Sequence, residues 1–543
     1  MKNMKLKFLA FSALLLAAAC AFAEKSQVKK RPNLLFIMTD QQRYDAIAAA
    51  GKYGFLKTPN LDKLAETGAY FTRAYTPCAV SGPARSCILT GLNVEHTGVL
   101  TNELTSEDPV KNNFTTKKTF DQILADNGYY SEYHGKWHAP ISWTKCYEGF
   151  GYEIPNKNRP FHYKTHHLIK FAQFIGPAAK AYQKKDGDLF DKTMFQAYYT
   201  PDPIDRRVVY GTSPDGELTQ EELKRRIHTQ PDNHGLLRVP AEKSITAFQA
   251  LETIAALDRA KKSGKPFNIT CSFFYPHSPM LPTEPYHGMY DPDRMPIPSS
   301  ISDPMVDSPY VRENAREVLK EYANPNLVKY MMSNYFALVS EVDDWIGKIL
   351  DKLDEIGERE NTLIVFISDH GEMLGAHGMR EKNVFFEESA RVPMILNFPG
   401  KIKPVKIGEC VSLIDLFPTI LDYMGVKYDA RDGESLIPYI DKTKTKENTV
   451  VSEWLYHKGR PMSHMIVDGD WKLMVSYDLT CKLPAVLFNL KDDPNETKNL
   501  IGASNPDRAK YIQKANELKL KLLQRLKSQN SKFVDNISQL SFN

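Results

Sequence analysis

Two apolar runs of strand length, far apart in the chain and each ending in an acid, constrain the fold most strongly. Residues 33–40 read NLLFIMTD, and residues 361–370 read NTLIVFISDH. Continuous apolar runs of this length are typical of parallel strands that are buried on both faces. Two further runs, KPFNITCSFFYPH and VPMILNFPG, occur among segments with helical patterns. The alternation predicts an α/β fold with a large mixed, mostly parallel sheet and helices on both faces.

The chain of 543 residues is long enough for one large α/β domain and a smaller one. We predict a catalytic domain over residues 33–429. The strand-like DGDWKLMVSYD and AVLFNLKDDPNETKNL, followed by the charged helical pattern DRAKYIQKANELKLKLLQRLKSQ, predict a C-terminal α+β subdomain over residues 430–543. An amphipathic pattern from Asn324 to Gly357 predicts a long helix that stops at a glycine. The irregular segment at about 152–239 is interpreted as an insertion, either part of a substrate pocket or a surface elaboration.

The N-terminus has the pattern of a secretory signal peptide. Lysines precede a short apolar run at residues 8–19, and small residues up to Ala23 suit cleavage. We predict a signal peptide over residues 1–23, a polar linker over 24–32, and an exported, periplasmic protein. Cys20 stands in a poor match to a lipobox, so an outer-membrane lipoprotein is the second choice, with membrane contact only if Cys20 is lipidated.

The composition excludes some partners. Lysine and arginine total 70 and aspartate and glutamate 66, giving a formal net charge of +4. A dedicated nucleic-acid binder would carry a strong basic excess, so no nucleic acid is expected as a partner. The cysteines are scattered, with no C-x-x-C pair, and suggest no cysteine zinc site.

The two acid-terminated strands predict a metal site. Ligands of open α/β sheets bind beyond the carboxyl ends of the strands, where Asp40 and Asp369 would meet if the strands are neighbours. Gln41 adds a neutral oxygen and His370 an imidazole. This donor set suits a hard divalent cation such as Ca²⁺ or Mg²⁺. The alternative is that each carboxylate caps a following helix.

The stretch AVSGPARSCILTGL, residues 79–92, places a hydroxyl at the start of a helical pattern. Helix N-termini favour anions. Arg85 lies one turn after Ser81 on the same helical face. The residues alone support two interpretations equally: a nucleophile at an anion site, or an N-cap serine with a surface arginine.

SGPARSCILTG closely resembles the activation motif of the type I sulfatases, which belong to the alkaline-phosphatase-like superfamily. The resemblance implies that Ser81 is oxidised to formylglycine, in the Ser-type variant served by a radical-based maturase. Cys78 lies three residues too early to be the modified residue. Unlike plain serine, the hydrate of the aldehyde has a second hydroxyl, whose deprotonation expels sulfate after the first has attacked sulfur.

NLLFIMTDQQR and ISDHGEMLGAHG resemble the metal-binding strands of the same family. The implied cation ligands are Asp40, Gln41, Ser81, Asp369 and His370, with Ca²⁺ preferred over Mg²⁺. The family usually has a second acid where this chain has Gln41, and many members have Asn where it has His370.

Three more blocks, YHGKWH, FYPHSPM and REKNVFFEESARVPMI, also match family blocks. Lys136 and His138 would point to one side of an extended segment, Lys136 toward the sulfate and His138 toward the formylglycine hydroxyl. The resemblance implies that His277 donates a proton to the leaving alcohol or binds sulfate, and that Lys382 binds sulfate. Arg85 completes the implied catalytic set, reaching a charged adduct or the metal-bound oxygen.

The function implied is hydrolysis of sulfate monoesters on a carbohydrate such as a glycosaminoglycan, mucin or algal glycan. The expected partners are the sulfated carbohydrate and the formylglycine-generating maturase. Two alternatives are a phosphonate or phosphate monoester hydrolase of the same fold and a non-catalytic glycan-binding homologue. His457, Lys458 and Arg460 either contact an acidic sugar or are loop charges.

Overall fold

The computed structural model describes most of the chain after residue 29. The described residues are 30–102, 117–139, 174, 188–191, 197–203, 234–310, 324–445, 447–456, 462–477 and 484–542. Its strands are β1 (Asn33–Asp40), β2 (Ala69–Tyr75), β3 (Tyr130–Gly135), β4 (Leu189–Asp191), β5 (Ala197–Pro201), β6 (Gly235–Leu237), β7 (Phe267–Pro276), β8 (Thr362–Ser368), β9 (Arg391–Asn397), β10 (Val405–Ile407), β11 (Val411–Ser412), β12 (Thr449–Trp454), β13 (Ser463–Asp468), β14 (Trp471–Ser476) and β15 (Val486–Asn489). Its α-helices are α1 (Pro59–Thr67), α2 (Ser81–Thr90), α3 (Val94–Thr97), α4 (Phe120–Asp126), α5 (Ile245–Ser263), α6 (Pro325–Glu355), α7 (Glu387–Ala390), α8 (Leu416–Met424), α9 (Ile437–Ile440), α10 (Ile512–Ser528) and α11 (Val534–Ser538).

An eight-stranded sheet with the order β10-β2-β9-β8-β1-β7-β3, and β11 beside β2, forms the centre of the molecule. Strand β1 pairs in parallel with β7 and β8, and β3 pairs in parallel with β7. Strand β9 runs antiparallel to both β8 and β2. The prediction of a mixed, mostly parallel sheet is therefore confirmed.

Both faces of β1 are buried, as its continuous apolar sequence predicts. Leu35 and Ile37 join a core that includes side chains of α5 and α6. Leu34, Phe36 and Met38 join the opposite core with side chains of α2, α4 and α8. Because successive side chains of a strand point to opposite faces, a strand covered by helices on both sides must be apolar throughout.

A second sheet, with the antiparallel order β12-β13-β14-β15, confirms the predicted C-terminal strands. Ile466 of β13 packs on the side of α10, whereas Met465 packs on the other side, in one cluster with Phe385 and Phe386. The sheet therefore lies between α10 on one face and the loop that follows β8 on the other. The boundary at residue 429 stays a prediction.

The remaining sequence predictions concern a long helix, the insertion and the N-terminus, and the described residues cover only some of them. The long helix predicted at 324–357 is confirmed as α6, and Gly357 follows it with φ of 67°. Strands β4, β5 and β6 form a small antiparallel sheet within the predicted insertion. Among the described residues, no helix has both the length and the apolar character needed to cross a bilayer. The predicted signal peptide and residues 457–460 lie outside the described residues.

Candidate active site

Register between β1 and β8 brings the two predicted acids together. Thr39 is opposite Ser368, so Asp40 and Asp369 follow at the same edge of the sheet. Neither acid is exposed to solvent. One possible ligand atom from each acid and one from His370 all lie within 4.8 Å of one another. The expectation that two distant segments form one buried cluster is thus confirmed.

Arg85 is fully buried between the two acids, so it is not the surface arginine of the alternative interpretation. Its Nε donates to Asp369 Oδ2 at 2.7 Å, and its Nη2 donates to Asp40 Oδ2 at 3.3 Å. Its Nη1 donates to Ser272 Oγ and to the carbonyl of Lys136, both at 2.8 Å. A planar guanidinium with several donors suits this bridging position. Burial opposes the charge of Arg85, but Asp369 and Asp40 raise its pKa above its usual range.

Ser81 points into this cluster instead of capping its helix. It is the first residue of α2, whose N-cap is Val80. Ser81 Oγ lies 2.9 Å from His370 Nε2, while His370 Nδ1 lies 3.0 Å from the carbonyl of Gly371. Since Nδ1–H donates to that carbonyl, Nε2 accepts from the Ser81 hydroxyl. Burial lowers the pKa of His370, which favours the neutral form that a metal ligand requires.

The donor set fits a divalent cation. Asp40 Oδ1 is buried and has no hydrogen-bond partner within the described ranges. Burial alone would raise the pKa of Asp40, but the charge of Lys136, together with that of Arg85, holds it well below its usual range. Asp369 Oδ1 accepts from the backbone N–H of Gln41 at 3.1 Å and of His370 at 2.9 Å. The site thus offers two carboxylates and a neutral imidazole, and Asp40 Oδ1 is free to serve as a ligand. Such a donor set could hold a metal ion.

Lys136 and His138 enter the site from the loop after β3. Lys136 Nζ contacts Asp40, and burial lowers the pKa of Lys136 to about 8. Its backbone N–H donates to the Ser272 carbonyl at 2.8 Å. Gly135 has φ of 96°, and a Cβ there would collide with that carbonyl, so glycine is required for this approach.

The extended conformation predicted for residues 136–138 is wrong. Strand β3 ends at Gly135, and His138 has a left-handed φ of 47°. Both side chains are nevertheless buried. Burial and then the charge of Lys136 lower the pKa of His138, so the two side chains share one electrostatic environment.

His277 and Lys382 form the partly exposed side of the site, in contact with the fully buried Gln41. Lys382 Nζ donates to Gln41 Oε1 at 2.5 Å and to His277 Nε2 at 2.9 Å. His277 Nδ1 lies 2.6 Å from the carbonyl of Ser278, so this nitrogen carries the proton and Nε2 is the acceptor. Burial and the nearby ammonium group lower the pKa of His277.

Two side chains of the site had no role assigned from the sequence. Ser272 accepts a hydrogen bond from Arg85, and Glu372 accepts one from Gln41 Nε2. Ser272 is one polar residue inside a strand and carries no sequence signal. Glu372 stands two residues after His370 in DHGE, so the sequence places it near the acid cluster. The sequence does not indicate that Glu372 pairs with Gln41.

Comparisons with known proteins agree with this geometry. The sulfatase family model matches residues 32–426, and the model for the C-terminal region of N-sulphoglucosamine sulphohydrolase matches residues 375–529. An N-acetylglucosamine-6-O-sulfatase of Bacteroides thetaiotaomicron is 27% identical, over 96% of this chain and 90% of its own.

Two solved structures share the fold. One, in complex with its substrate D-glucosamine-2-N,6-O-disulfate, has a TM-score of 0.67 and 22% identity, covering 94% of this chain and 100% of its own. The phosphonate monoester hydrolase of Agrobacterium radiobacter also has a TM-score of 0.67, with 21% identity, covering 92% and 96%. Since the sulfatase model spans well over half of the sequence, the chain belongs to the sulfatase family of sulfuric ester hydrolases.

Proposed function

We propose that this protein hydrolyses sulfate monoesters on carbohydrates, using a nucleophile made from Ser81 and a bound divalent cation, Ca²⁺ in preference to Mg²⁺. The observation that carries the proposal is the position of Ser81 Oγ, buried 2.9 Å from His370 Nε2 in the cluster with Asp40 and Asp369. A serine with a structural role only would be expected to cap α2, and the N-cap is Val80.

Two groups supplied after synthesis complete the proposed site. Formylglycine would be formed at Ser81 through a two-electron oxidation by a radical-based maturase, and its hydrate would supply one hydroxyl to attack sulfur and a second to release sulfate. Asp40, Asp369 and His370, with Gln41 and Ser81, would hold the cation, which would polarise the sulfate and lower the pKa of the attacking hydroxyl.

The remaining side chains bind and orient. Lys136 and Lys382 are proposed to bind the sulfate oxygens, which gain negative charge in the transition state. Arg85 keeps Asp40 and Asp369 in place, because four of its hydrogen bonds go to protein groups. His138 is proposed to hydrogen-bond the hydroxyl at position 81.

His277 is proposed to protonate the leaving alcohol or bind sulfate. Its Nε2 accepts from the Lys382 ammonium group in the structure, so a proton is within hydrogen-bonding distance. His277 and Lys382 are partly exposed, whereas Ser81, Asp40 and Asp369 are buried. The sulfate would therefore enter first, and the sugar would lie against His277 and Lys382.

Relatives support a sugar substrate. The Bacteroides thetaiotaomicron relative is named for action on N-acetylglucosamine 6-O-sulfate, and one structural neighbour holds a sulfated glucosamine. Export to the periplasm through the signal peptide at residues 1–23 would suit an enzyme that acts on external glycans. Lipidation at Cys20 is the alternative route to the cell surface.

Phosphonate monoester hydrolysis is the second candidate. The phosphonate monoester hydrolase of Agrobacterium radiobacter has the same TM-score as the sulfated-glucosamine complex, so fold similarity does not separate the two reactions. Among the described residues, a single group of His, Cys, Asp and Glu could hold a metal ion, so they offer no second metal site for a two-metal phosphatase.

The state of Ser81 tests the proposal. We expect protein produced with a Ser-type maturase to contain a peptide lighter than the serine form by two hydrogen atoms, with an aldehyde that reacts with hydrazide reagents. Mass spectrometry of the peptide that contains residue 81 makes the measurement. Unmodified serine in fully matured, active protein would contradict the formylglycine mechanism.

A further inference from the structure

Glu372 connects two segments of the candidate site. This residue lies two positions after His370, and its side chain is buried. Oxygen Oε2 accepts a hydrogen bond from Gln41 Nε2, beyond the end of β1. Oxygen Oε1 accepts from the backbone N–H of Leu374 at 3.2 Å and from that of Glu381. The Glu372 carboxylate thus holds both the side chain of Gln41 and the backbone of Glu381, the residue before Lys382.

The partners of Gln41 determine how its amide is oriented. A carboxylate only accepts hydrogen bonds, and an ammonium group only donates them. The amide N–H₂ must therefore face Glu372, and the amide oxygen must face Lys382, 2.5 Å away. The reverse orientation would oppose oxygen to carboxylate and N–H₂ to ammonium.

The backbone of Gln41 is fixed as well. Its N–H donates to Asp369 Oδ1 at 3.1 Å, and its carbonyl accepts from Tyr335 Oη at 2.7 Å. Its φ of 70° directs the chain away from the line of β1. With the backbone held, the remaining freedom of Gln41 is in its side chain, which Glu372 restrains.

We propose that Glu372 is a positioning residue, which holds the oxygen of Gln41 toward Lys382 and the cation site and anchors the turn that carries Lys382. This rests on the proposed function, because the roles of the cation and of Lys382 belong to it. Polar partners behind metal ligands commonly orient those ligands, and their loss weakens metal binding about 10- to 100-fold.

Glu372→Gln tests the orientation with little change in shape. The new amide can still accept from the backbone N–H groups, but its own N–H₂ would face the N–H₂ of Gln41 unless Gln41 turns around. Turning would direct the Gln41 N–H₂ toward Lys382 and the cation. We expect Ca²⁺ to bind this variant about tenfold or more weakly in calorimetric titration, and inorganic sulfate to inhibit it less strongly.

The reciprocal variant should restore binding. In Gln41→Glu/Glu372→Gln, the carboxylate at 41 can accept from the amide at 372 and from Lys382 simultaneously. We expect the double variant to recover most of the lost Ca²⁺ affinity, whereas Gln41→Glu alone would place two carboxylates in contact. Glu381→Gln is the matched control, because it removes a negative charge one residue from Lys382 without touching Gln41.

The outcomes separate this inference from the proposed function. Wild-type affinity for Ca²⁺ in Glu372→Gln, or no recovery in the double variant, would overturn the positioning role while leaving the function standing. Absence of Ca²⁺ and Mg²⁺ binding in the wild-type protein would overturn the metal part of the proposed function and this inference with it. Without metal, the melting temperatures of Glu372→Gln and of its control Glu381→Gln should stay close to that of the wild-type protein. An equal fall in the melting temperatures of these two variants would also contradict a specific role at Gln41.

Discussion

At the scale of single residues, the site depends on charges that are buried in contact with one another. Arg85 is completely buried and bridges Asp40 and Asp369, the two carboxylates that the sheet register brings together. Removing one member of such a buried group is strongly destabilising, because the charges left behind have no water and no partner. Arg85 thus contributes to the site by fixing ligands, whatever contact it makes with substrate.

The role of His277 is testable with two leaving groups. His277→Ala should slow hydrolysis of alkyl sulfates by about 10²- to 10⁴-fold, the range for loss of a general acid. The rate of hydrolysis of aryl sulfates should fall much less in this variant, because a nitrophenolate leaves without needing a proton. Steady-state kinetics on both substrates makes the measurement, and equal losses would contradict the role as an acid.

The residue types and order of the site were predictable, and its hydrogen bonding was not. Asp40, Asp369 and His370 follow recognisable strands, so their meeting could be inferred from the topology of a wound sheet. The burial of Arg85 could not be inferred, because it requires the carbonyl of Lys136 and Ser272 Oγ, far away in the sequence. The left-handed backbone at His138 likewise has no signal in YHGKWH.

At the scale of elements, strands and long helices follow their patterns closely. Strand β1 and helix α6 were predictable, since one is apolar throughout and the other has a single apolar stripe. The direction of β9 was not predictable, because an apolar run reads alike in a parallel or antiparallel strand.

Helix α6 carries two buried acids that allow a test of stability against pH. Burial raises the pKa of Glu341 to about 7. Neither of its carboxylate oxygens makes a well-formed hydrogen bond in the part of the chain that the structure describes, although Ser244, Thr246 and the backbone of Thr283 lie near enough to offset part of the rise. The folded state therefore keeps a proton that the unfolded state releases, and stability falls as the pH rises from about 4.5 to about 7.

Glu341→Gln removes this penalty. At pH 8 the variant should be more stable by up to about 3 kcal/mol, the equivalent of the pKa shift, and the gain should shrink toward pH 5. Urea unfolding at several pH values makes the measurement. Asp343→Asn is the contrasting control. The pKa of Asp343 is also raised to about 7 by burial, but its oxygens accept from Asn60 and Leu61 at the start of α1. That variant should be destabilised, and an equal response of the two would contradict this account.

At the scale of the whole molecule, the C-terminal sheet contacts the loop that carries Lys382 of the candidate site. Lys472 of β14 is fully buried, and its Nζ lies 2.7 Å from both Glu387 and Glu496 and 2.9 Å from the carbonyl of Phe385. Burial opposes the charged form, but the two carboxylates raise the pKa of Lys472. Phe385 lies three residues after Lys382, so this contact ties the smaller sheet to the loop of the site. The C-terminal strands were predictable from their pattern, but a buried lysine there was not.

Lys472→Met should be strongly destabilising. It removes the ammonium group that two buried carboxylates share and leaves Glu496 without a cation among the described residues, while Glu387 keeps Arg391. Comparable buried pairs lose about 3–5 kcal/mol when one partner is removed. Lys521→Met is the control, because Lys521 pairs with Asp468 at the surface and should cost about 1 kcal/mol or less. Unfolding midpoints of both variants give the comparison, and a similar small loss in the two would show that the buried lysine is not needed.

The central claim is that the buried cluster around Ser81 hydrolyses sulfate esters, and release of free sulfate tests it most directly. Matured wild-type protein and Ser81→Ala, matched for folding by their melting temperatures, are incubated with defined sulfated saccharides and with phosphate and phosphonate monoesters. We expect the wild-type protein to release sulfate from at least one saccharide faster than it cleaves the phosphorus esters, and Ser81→Ala to release none. Preferential phosphonate cleavage, or undiminished sulfate release by Ser81→Ala, would contradict the claim.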